Sequence, residues 1–416
     1  MLGARVWRRL VGVDKAAVIE GVDFDDEADA VIVSVRPRRA KKLRCGLCER
    51  PSPGYDQGEG RRRWRALDLG EVRSYLEADA PRVRCADHGV LVAWLPWARH
   101  GAGHTRGFDD TVAWLAVHTS KTAVVQVMRI AWATVGVIVT RVVAEARAQR
   151  DPFDGLTKIG IDEISYKRGH RYLLVVVDHR SGRLVWAAAG RDKATLSRFF
   201  DELGEERCAQ LRLITADAAE WIGEVVAQRC PQAILCLDAF HVVAWATDAL
   251  DVVRRDTWNE ARRSGMSAHA RDLKGARYAL WKNPEDLTAR QEAKLAWVAK
   301  VNKQLYRAYL LKEQLRAVIA TKHSAAIPML ERWIDWAVRS RIPAFVELAR
   351  RIRKNLPGIL NGLLNNLSNA IVESTNTKLR LLTRIAYGFK DPEHLIALAL
   401  LDRGGFTPPL PGRKAA

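Results

Sequence analysis

Hydrophobic and polar positions follow two different patterns between residues 155 and 240. Short apolar runs, typical of buried strands, alternate with segments whose apolar residues recur every three or four positions, as on one face of a helix. The runs predict strands over 158–164, 171–178, 184–189, 211–215 and 233–237. The intervening segments predict helices over 193–203 and 220–229. This succession indicates an α/β unit in the middle of the chain.

Helical periodicity extends over the segment that precedes this unit. Segments 108–117, 121–131 and 135–147 predict three short helices. We expect Thr134 to be the N-cap of the third helix, because its hydroxyl can accept an amide hydrogen bond. This layout is typical of a helix-turn-helix and would place Arg141 near the DNA major groove, although any small helical bundle shows the same periodicity.

Residues 240–403 are helical in pattern almost throughout. Tryptophans on such amphipathic helices fill a core more often than they stack on bases. The region contains Trp245, Trp258, Trp281, Trp297, Trp333 and Trp336. A basic run at 350–354 either follows a phosphate backbone or faces solvent, and the Gly- and Pro-rich segment 404–416 predicts a loose tail.

Charge indicates the kind of partner. The 416 residues include 67 Lys+Arg against 48 Asp+Glu, a formal net charge of +19. A surface of this sign attracts polyanions, most commonly nucleic acid. No apolar run approaches the ~18 residues of a membrane span, and residues 1–10 lack the apolar core of a signal peptide. We therefore expect a cytoplasmic, nucleoid-associated protein with no membrane partner.

Four residues in the first hundred have the spacing of a zinc site. A CxxC pair is followed by a CxxH pair, and each pair can direct two ligands at one ion from a tight turn. The predicted Zn²⁺ ligands are Cys45, Cys48, Cys85 and His88. The separation between the pairs is long for a zinc ribbon, so residues 61–80 are predicted to form an inserted hairpin or strand excursion.

This excursion carries a cationic cluster with one aromatic ring. Its charges suit phosphate contacts and its indole suits stacking on a base, although a solvated basic loop has the same composition. The predicted DNA-binding residues here are Arg61, Arg62, Arg63, Trp64 and Arg65.

Carboxylates follow two of the predicted strands. Asp162 lies at or near the end of the first strand, and Asp217 follows the fourth. Glu373 falls in a predicted helix with Asn376 one turn later. Two aspartates from neighbouring strands and a glutamate from a packed helix can hold two magnesium ions about 4 Å apart, as phosphodiester displacement requires. Each acid alone also fits a cap or turn, which is the role we expect for Asp178.

The motifs together resemble those of the zinc-ribbon DDE transposases of bacterial insertion sequences, most closely the insertion-sequence L-three family. Besides the CxxC…CxxH ribbon and the helix-turn-helix, the matching text is IGIDE at 159–163, LDAFHVV at 237–243, KGARYALWKNP at 274–284 and the block from SN at 368–369 to YGF at 387–389. The match extends from about residue 40 to 400. One departure is His88, where many relatives carry Cys.

The resemblance implies a multidomain α+β protein with an RNase H-like α/β catalytic domain and an all-helical insertion. The catalytic triad, which would bind Mg²⁺ or Mn²⁺, would be Asp162, Asp217 and Glu373. Asp238 and His241 match an Asp-x-x-His motif that lies near the active site in the family, and Asp238 remains the rival for the middle carboxylate. Together with Asn376, they complete the expected site. Phosphate and DNA contacts are expected from Lys378, Arg380 and Arg384.

The implied domains follow the chain in order. They are the zinc ribbon and basic region (1–100), the helix-turn-helix (101–150), the first part of the catalytic core (151–244), the helical insertion (245–365), the C-terminal catalytic helices (366–403) and the tail (404–416).

The resemblance implies a transposase that binds terminal inverted repeats in double-stranded DNA, cleaves DNA and transfers the strand, as a homodimer or larger assembly. Two other functions are compatible with the residues. One is an RNase H-like nuclease or resolvase without strand transfer, and the other is a zinc-ribbon DNA-binding regulator with structural carboxylates.

Overall fold

The computed structural model describes residues 3–39, 43–321, 324–365, 370–386 and 388–413. The residues at 368, 369 and 387 of the C-terminal motif lie outside these ranges. The chain divides into two compact units, one comprising Met1–Pro152 with Leu379–Ala416 and the other Phe153–Lys378.

The first unit begins with a helix and two small sheets. Helix α1 spans Ala4–Leu10, and the strands are β1 (Ala17–Asp25), β2 (Ala30–Pro37), β3 (Gly54–Asp56), β4 (Arg61–Arg65), β5 (Arg73–Asp79), β6 (Arg82–Cys85) and β7 (Gly89–Val92). One sheet has the order β1-β2-β5-β4 and the other β3-β6-β7. The predicted excursion between the ligand pairs is confirmed as the antiparallel β4–β5 hairpin, which joins the larger sheet through parallel β2–β5 pairing.

Three helices follow the sheets, as the periodicity predicts: α2 (Arg106–His118), α3 (Lys121–Met128) and α4 (Trp132–Gln149). The side chains of Thr105 and Ser120 cap α2 and α3. The prediction of Thr134 as the cap of α4 is wrong, because α4 begins at Trp132 and Thr134 lies in its first turn. Arg129, in the left-handed conformation (φ 50°), ends α3 early enough for α4 to start there.

The end of the chain packs on these helices. Helix α17 (Pro392–Arg403) contacts α4 and α2, although residues 366–403 were expected to belong with the catalytic helices. The prediction of a loose tail is wrong for residues 404–407, where the Thr407 hydroxyl donates to the Leu401 carbonyl at 2.7 Å. Phe406 is buried beneath the guanidinium of Arg150 at 4.5 Å, and Arg150 Nη2 donates to the carbonyls of Gly404 (3.0 Å) and Gly405 (2.8 Å).

The second unit contains a mixed five-stranded sheet. Its strands are β8 (Lys158–Lys167), β9 (Arg171–Asp178), β10 (Leu184–Ala189), β11 (Leu213–Ala216) and β12 (Ile234–Leu237), in the order β10-β9-β8-β11-β12. The pairs β10–β9 and β9–β8 are antiparallel, and β8–β11 and β11–β12 are parallel. Apolar side chains of the sheet share a core with α5 (Lys193–Leu203), α6 (Glu205–Cys208) and α7 (Glu220–Arg229). This is the α/β core expected of an RNase H-like domain.

A helical insertion separates β12 from the last helix of this unit. Its helices are α8 (Ala239–Arg263), α9 (Ser267–Gly275), α10 (Arg277–Trp281), α11 (Ala289–Val301), α12 (Lys303–Ala320), α13 (Ala326–Arg339), α14 (Pro343–Lys354) and α15 (Leu356–Asn365). The first of these helices, α8, starts before the predicted position 245, because Asp238 caps it directly after β12. The interpretation of the tryptophans as core residues is confirmed: Trp333 is fully buried, Trp245 is buried, and the other four pack against the same core.

Helix α16 (Ala370–Ile385) begins close to the central strand β8. A Cβ at Gly160 would lie 2.5 Å from Val372 Cγ2 and 3.0 Å from both His179 Nε2 and Thr215 Oγ1. Only glycine therefore allows the first part of α16 to approach the strand that carries Asp162.

No single helix within the described ranges has both the length and the apolar character to cross a membrane. One pair bent by 98°, α3 with α4, passes the same test by length and composition alone.

We expect Gly160→Ala to lower the free energy of unfolding by about 1–3 kcal/mol, because the added methyl overlaps Val372. Calorimetric or urea unfolding measures the change. Adding Val372→Ala should recover part of the loss by making room for the methyl.

The matched control is Gly223→Ala in α7, where the added Cβ would make an ordinary 3.7 Å contact with Leu235. This change should raise stability by up to about 1 kcal/mol, as replacing a helical glycine does. Wild-type stability in Gly160→Ala would contradict the proposed close packing of α16 on β8.

Candidate metal centres

Two of the three predicted acids meet beside the central strands of the second unit. Asp162 lies on β8, and Asp217 directly follows β11, its parallel neighbour. An oxygen from each carboxylate and a ring nitrogen of His241 all lie within 4.8 Å of one another. The three side chains are partly buried, so the group can bind an ion and remain accessible to a substrate.

His241 connects the acids to the insertion. It lies in the first turn of α8, where its Nε2 contacts Asp217 Oδ1 and is 3.7 Å from Asp238 Oδ2. Asp238 also caps α8 by accepting a hydrogen bond from the Phe240 amide at 3.1 Å. The hydrogen bond with Asp217 raises the pKa of His241, which favours the imidazolium between the two carboxylates. The predicted Asp-x-x-His pair, Asp238 and His241, therefore lies beside Asp217, and it is Asp217 that joins Asp162 and His241 in the group of ligand atoms within 4.8 Å.

Helix α16 reaches the cluster through Asn376. Its Nδ2 donates to Asp162 Oδ2 at 2.6 Å. Its Oδ1 is buried and has no hydrogen-bond partner among the described residues. Glu373 lies three residues earlier, is exposed, and does not join the group of ligand atoms within 4.8 Å.

Burial and like charge shape the protonation of Asp162. Burial raises its pKa to about 6, and the carboxylates of Asp217 and Asp238 add to the rise. The Glu163 amide, which donates to Asp162 Oδ1 at 2.7 Å, and the charge of His241 oppose it. Several oxygens with this unfavourable concentration of negative charge suit a divalent cation.

Glu163 is an acid beside the site to which sequence reasoning assigned no role. Its carboxylate is mostly buried and pairs with Arg191. The guanidinium of Arg191 lies 4.8 Å from the ring centroid of Tyr172. The signal for Glu163 was its position directly after Asp162, but the pairing with Arg191 depends on strand register and was not visible in the sequence.

Asp178 has the turn role expected of it. It is buried, and its carboxylate accepts hydrogen bonds from the Arg180 amide (3.0 Å), the Ser181 amide (3.1 Å) and the Ser181 hydroxyl (2.5 Å). These bonds occupy both oxygens, which is consistent with turn formation rather than chemistry.

The predicted zinc ligands converge in the first unit. Cys48 Sγ lies 3.8 Å from Cys85 Sγ, and His88 Nδ1 lies 3.5 Å from Cys85 Sγ and 3.6 Å from Cys45 Sγ. Tetrahedral zinc with Zn–S of ~2.3 Å and Zn–N of ~2.0 Å requires ligand separations of about 3.5–3.8 Å, so the set has the right size. The contact with His88 lowers the pKa of Cys85 to about 6, which favours the thiolate that a metal needs.

Trp64 and Arg65 do not have the predicted role in DNA contact. Trp64 is only 2 % exposed and its indole packs in the core of the first unit, so it cannot stack on a base. Arg65 is buried and pairs with Asp68 at 2.5 Å.

The other three arginines of β4 are partly or fully accessible. Arg61 and Arg63 share the carboxylate of Glu77 at 3.0 and 2.9 Å, and Arg62 lies 5.6 Å from the Trp64 ring centroid. Strand alternation accounts only for Trp64, which packs on the core; Arg65 is on the opposite face and is buried by its contacts with Asp68, Tyr75 and Phe108.

Arg141 also differs from the prediction. Its Nη1 lies 3.2 Å from Oδ2 of Asp109, a fully buried carboxylate, so its guanidinium compensates an internal charge and does not project toward a DNA groove. Burial raises the pKa of Asp109 to about 6, and Arg141 and Arg99 oppose that rise. On α16, Arg380 and Arg384 are exposed and Lys378 is partly buried.

Comparisons with known proteins agree with this organisation. A family model described as a transposase matches residues 159–399, one described as the zinc-finger of transposase IS204/IS1001/IS1096/IS1165 matches 41–88, and one described as the helix-turn-helix domain of transposase family ISL3 matches 95–143.

Similar proteins include the transposase for insertion sequence element IS1557 of Mycobacterium tuberculosis, which is 59% identical over 99% of this chain and 98% of its own length. The transposase for insertion sequence element IS1001 of Bordetella parapertussis is 27% identical over 80% of this chain and 82% of its own length. The protein therefore belongs to the ISL3 family of insertion-sequence transposases.

Proposed function

We propose that this transposase binds the terminal inverted repeats of its element, cleaves DNA at the transposon ends, and transfers the freed 3′ end to target DNA at the same site. The observation that carries the proposal is the convergence of Asp162 and Asp217 from neighbouring parallel strands. The hydrogen bond from Asn376 to Asp162 adds to it, because it attaches the helix that carries Glu373 to this point.

The oxygens around the site fit Mg²⁺ or Mn²⁺. Asp162 and Asp217 supply carboxylates, and the partnerless buried Oδ1 of Asn376 is a polar atom that an ion or its water would satisfy. We propose Glu373 as the third carboxylate, since residues three apart share a helix face and Asn376 faces Asp162. Asp238 is a weaker candidate than Asp217 for the second carboxylate of the triad. Its carboxylate caps α8 and lies 3.7 Å from His241 Nε2.

The chain's own residues orient these ligands and receive the substrate. His241 holds Asp217 and offsets its charge, and Asn376 holds Asp162. Lys378, Arg380 and Arg384 would balance phosphate charge along the DNA backbone. A pair of divalent ions supplies activation of the attacking oxygen and stabilisation of the leaving oxygen in both hydrolysis and strand transfer.

We expect Asp162→Asn, Asp217→Asn and Glu373→Gln each to reduce end cleavage and strand transfer by at least about 10³-fold, because a lost metal ligand removes several kcal/mol of transition-state stabilisation. Gel-resolved cleavage and joining of the element's own ends with Mg²⁺ measures the rates. Chelation should abolish both reactions.

Glu224→Gln is the matched control, since Glu224 is an exposed acid of α7 that pairs with Lys193 away from the cluster. It should retain wild-type rates. Cleavage retained in Glu373→Gln would remove Glu373 as a ligand. Hydrolysis without joined products in the wild type would instead favour a nuclease or resolvase, and unchanged behaviour of all three variants would favour a DNA-binding regulator.

We also propose that the N-terminal cluster binds one Zn²⁺ and that the ribbon and helix-turn-helix together recognise the terminal repeats. The ligand separations and the thiolate favoured at Cys85 support zinc. Structural zinc would stabilise a small module with two short sheets. Since two ends are cut and joined, the active form would contain at least two copies on DNA, and end binding would account for nucleoid association.

We expect the purified chain to contain one zinc per molecule, and Cys45→Ser or His88→Ala to lose most of it, because each removes one of four ligands. Mass spectrometry measures the zinc content of each variant. A binding assay with end DNA measures how the loss of zinc affects DNA binding. His88→Cys should retain zinc, because thiolate and imidazole both bind it.

Cys236→Ala is the control, since this buried thiol of β12 lies outside the cluster. It should leave zinc content at the wild-type level. Full zinc content in Cys45→Ser would exclude the four-ligand site.

A further inference from the structure

The basic run at the end of α14 is not uniform in its pairing. Three of its side chains pair with carboxylates: Arg350 with Glu347, Arg353 with Asp335 at 3.3 Å, and Lys354 with Glu220 at 2.6 Å. Arg351 is the exception, since no carboxylate of the described residues lies within 4.0 Å of its nitrogens. An exposed cation without an ion pair is available for an external anion.

The packing of Arg351 brings it to the catalytic side of the insertion. Its guanidinium carbon lies 3.7 Å from the ring centroid of Trp245. Trp245 is one helical turn after His241 on α8, and His241 contacts Asp217. Partial burial lowers the pKa of Arg351, and the carboxylates of Asp248 and Asp217 oppose that change.

A guanidinium that stacks on an indole can still donate hydrogen bonds from its N–H edge. The ring covers one face of the planar group, while the N–H edge can still donate two parallel hydrogen bonds to phosphate oxygens. Because Trp245 is itself buried in the insertion core, the platform is rigid and less side-chain entropy is lost when Arg351 binds.

We propose that Arg351, stacked on Trp245, is a phosphate-binding residue that holds the DNA backbone next to the Asp162–Asp217 cluster. The inference rests on the proposed function, since it concerns how the same site receives its DNA. It assigns a DNA contact to the helical insertion and makes Arg351 a positioning residue for cleavage.

The test compares Arg351→Gln with the wild-type full chain bound to end DNA, with Ca²⁺ in place of Mg²⁺ so that binding is measured without turnover. We expect roughly 10-fold weaker binding and a plot of log K against log salt that is shallower by about one unit, because one phosphate contact is lost. With Mg²⁺, the cleavage rate at subsaturating DNA should fall by a similar factor.

Arg351→Lys is the second variant. It keeps the charge and loses the planar fork, so the salt slope should stay at the wild-type value while binding weakens less than in Arg351→Gln. Arg350→Gln, which removes an equal charge from the same helix at an exposed, paired position, should leave the slope and cleavage unchanged. Thermal unfolding of each variant checks that it is folded.

A wild-type salt slope in Arg351→Gln, an equal loss in Arg350→Gln, or no recovery of the slope in Arg351→Lys would each overturn the inference. If the wild type failed to cleave with Mg²⁺, the proposed function would fail, while the salt slopes would still decide whether Arg351 contacts phosphate.

Discussion

The burial of Asp162 beside other carboxylates is the constraint on which the candidate site of the second unit depends. The β8–β11 register pairs Thr215 with Gly160. Asp217 and Asp162 each follow a member of this pair by two residues. Burial disfavours the charged form of Asp162, and the carboxylates of Asp217 and Asp238 add to that cost. The surroundings offset this cost through the charge of His241 and the amides of Glu163 and Asn376. These groups therefore partly stabilise the ionised carboxylates in the absence of a cation.

The elements around the acids are arranged to supply these contacts. Asp238 starts α8 immediately after β12, which brings His241 to Asp217 one turn into the insertion. The absence of a side chain at Gly160 allows Val372 of α16 to approach β8, which brings Asn376 to Asp162. The insertion and α16 thus contribute directly to the geometry of the Asp162–Asp217 cluster, although α16 is far from the aspartates in the sequence.

The first unit shows that an arginine in a basic, DNA-binding chain does not by itself indicate a DNA contact. Arg99 is buried and pairs with Asp110 and Glu145, both at 2.7 Å, and Arg141 pairs with buried Asp109. A buried carboxylate without such a partner would be strongly destabilised. Carboxylates balance these arginines, so the cluster adds nothing to the net charge of +19, and the positive excess comes from other residues.

The sequence by itself determined most of the local elements and the set of four clustered Cys and His residues. Strands Arg171–Asp178 and Leu184–Ala189 and helices Lys193–Leu203 and Glu220–Arg229 have the predicted bounds, because hydrophobic periodicity and turn residues act over a few positions. The clustering of Cys45, Cys48, Cys85 and His88 was equally predictable from their spacing. Tertiary structure alone decided which faces are buried. Trp64, Arg141 and Phe406 point inward, and Arg351 stacks on Trp245, because each orientation depends on side chains brought from distant parts of the chain.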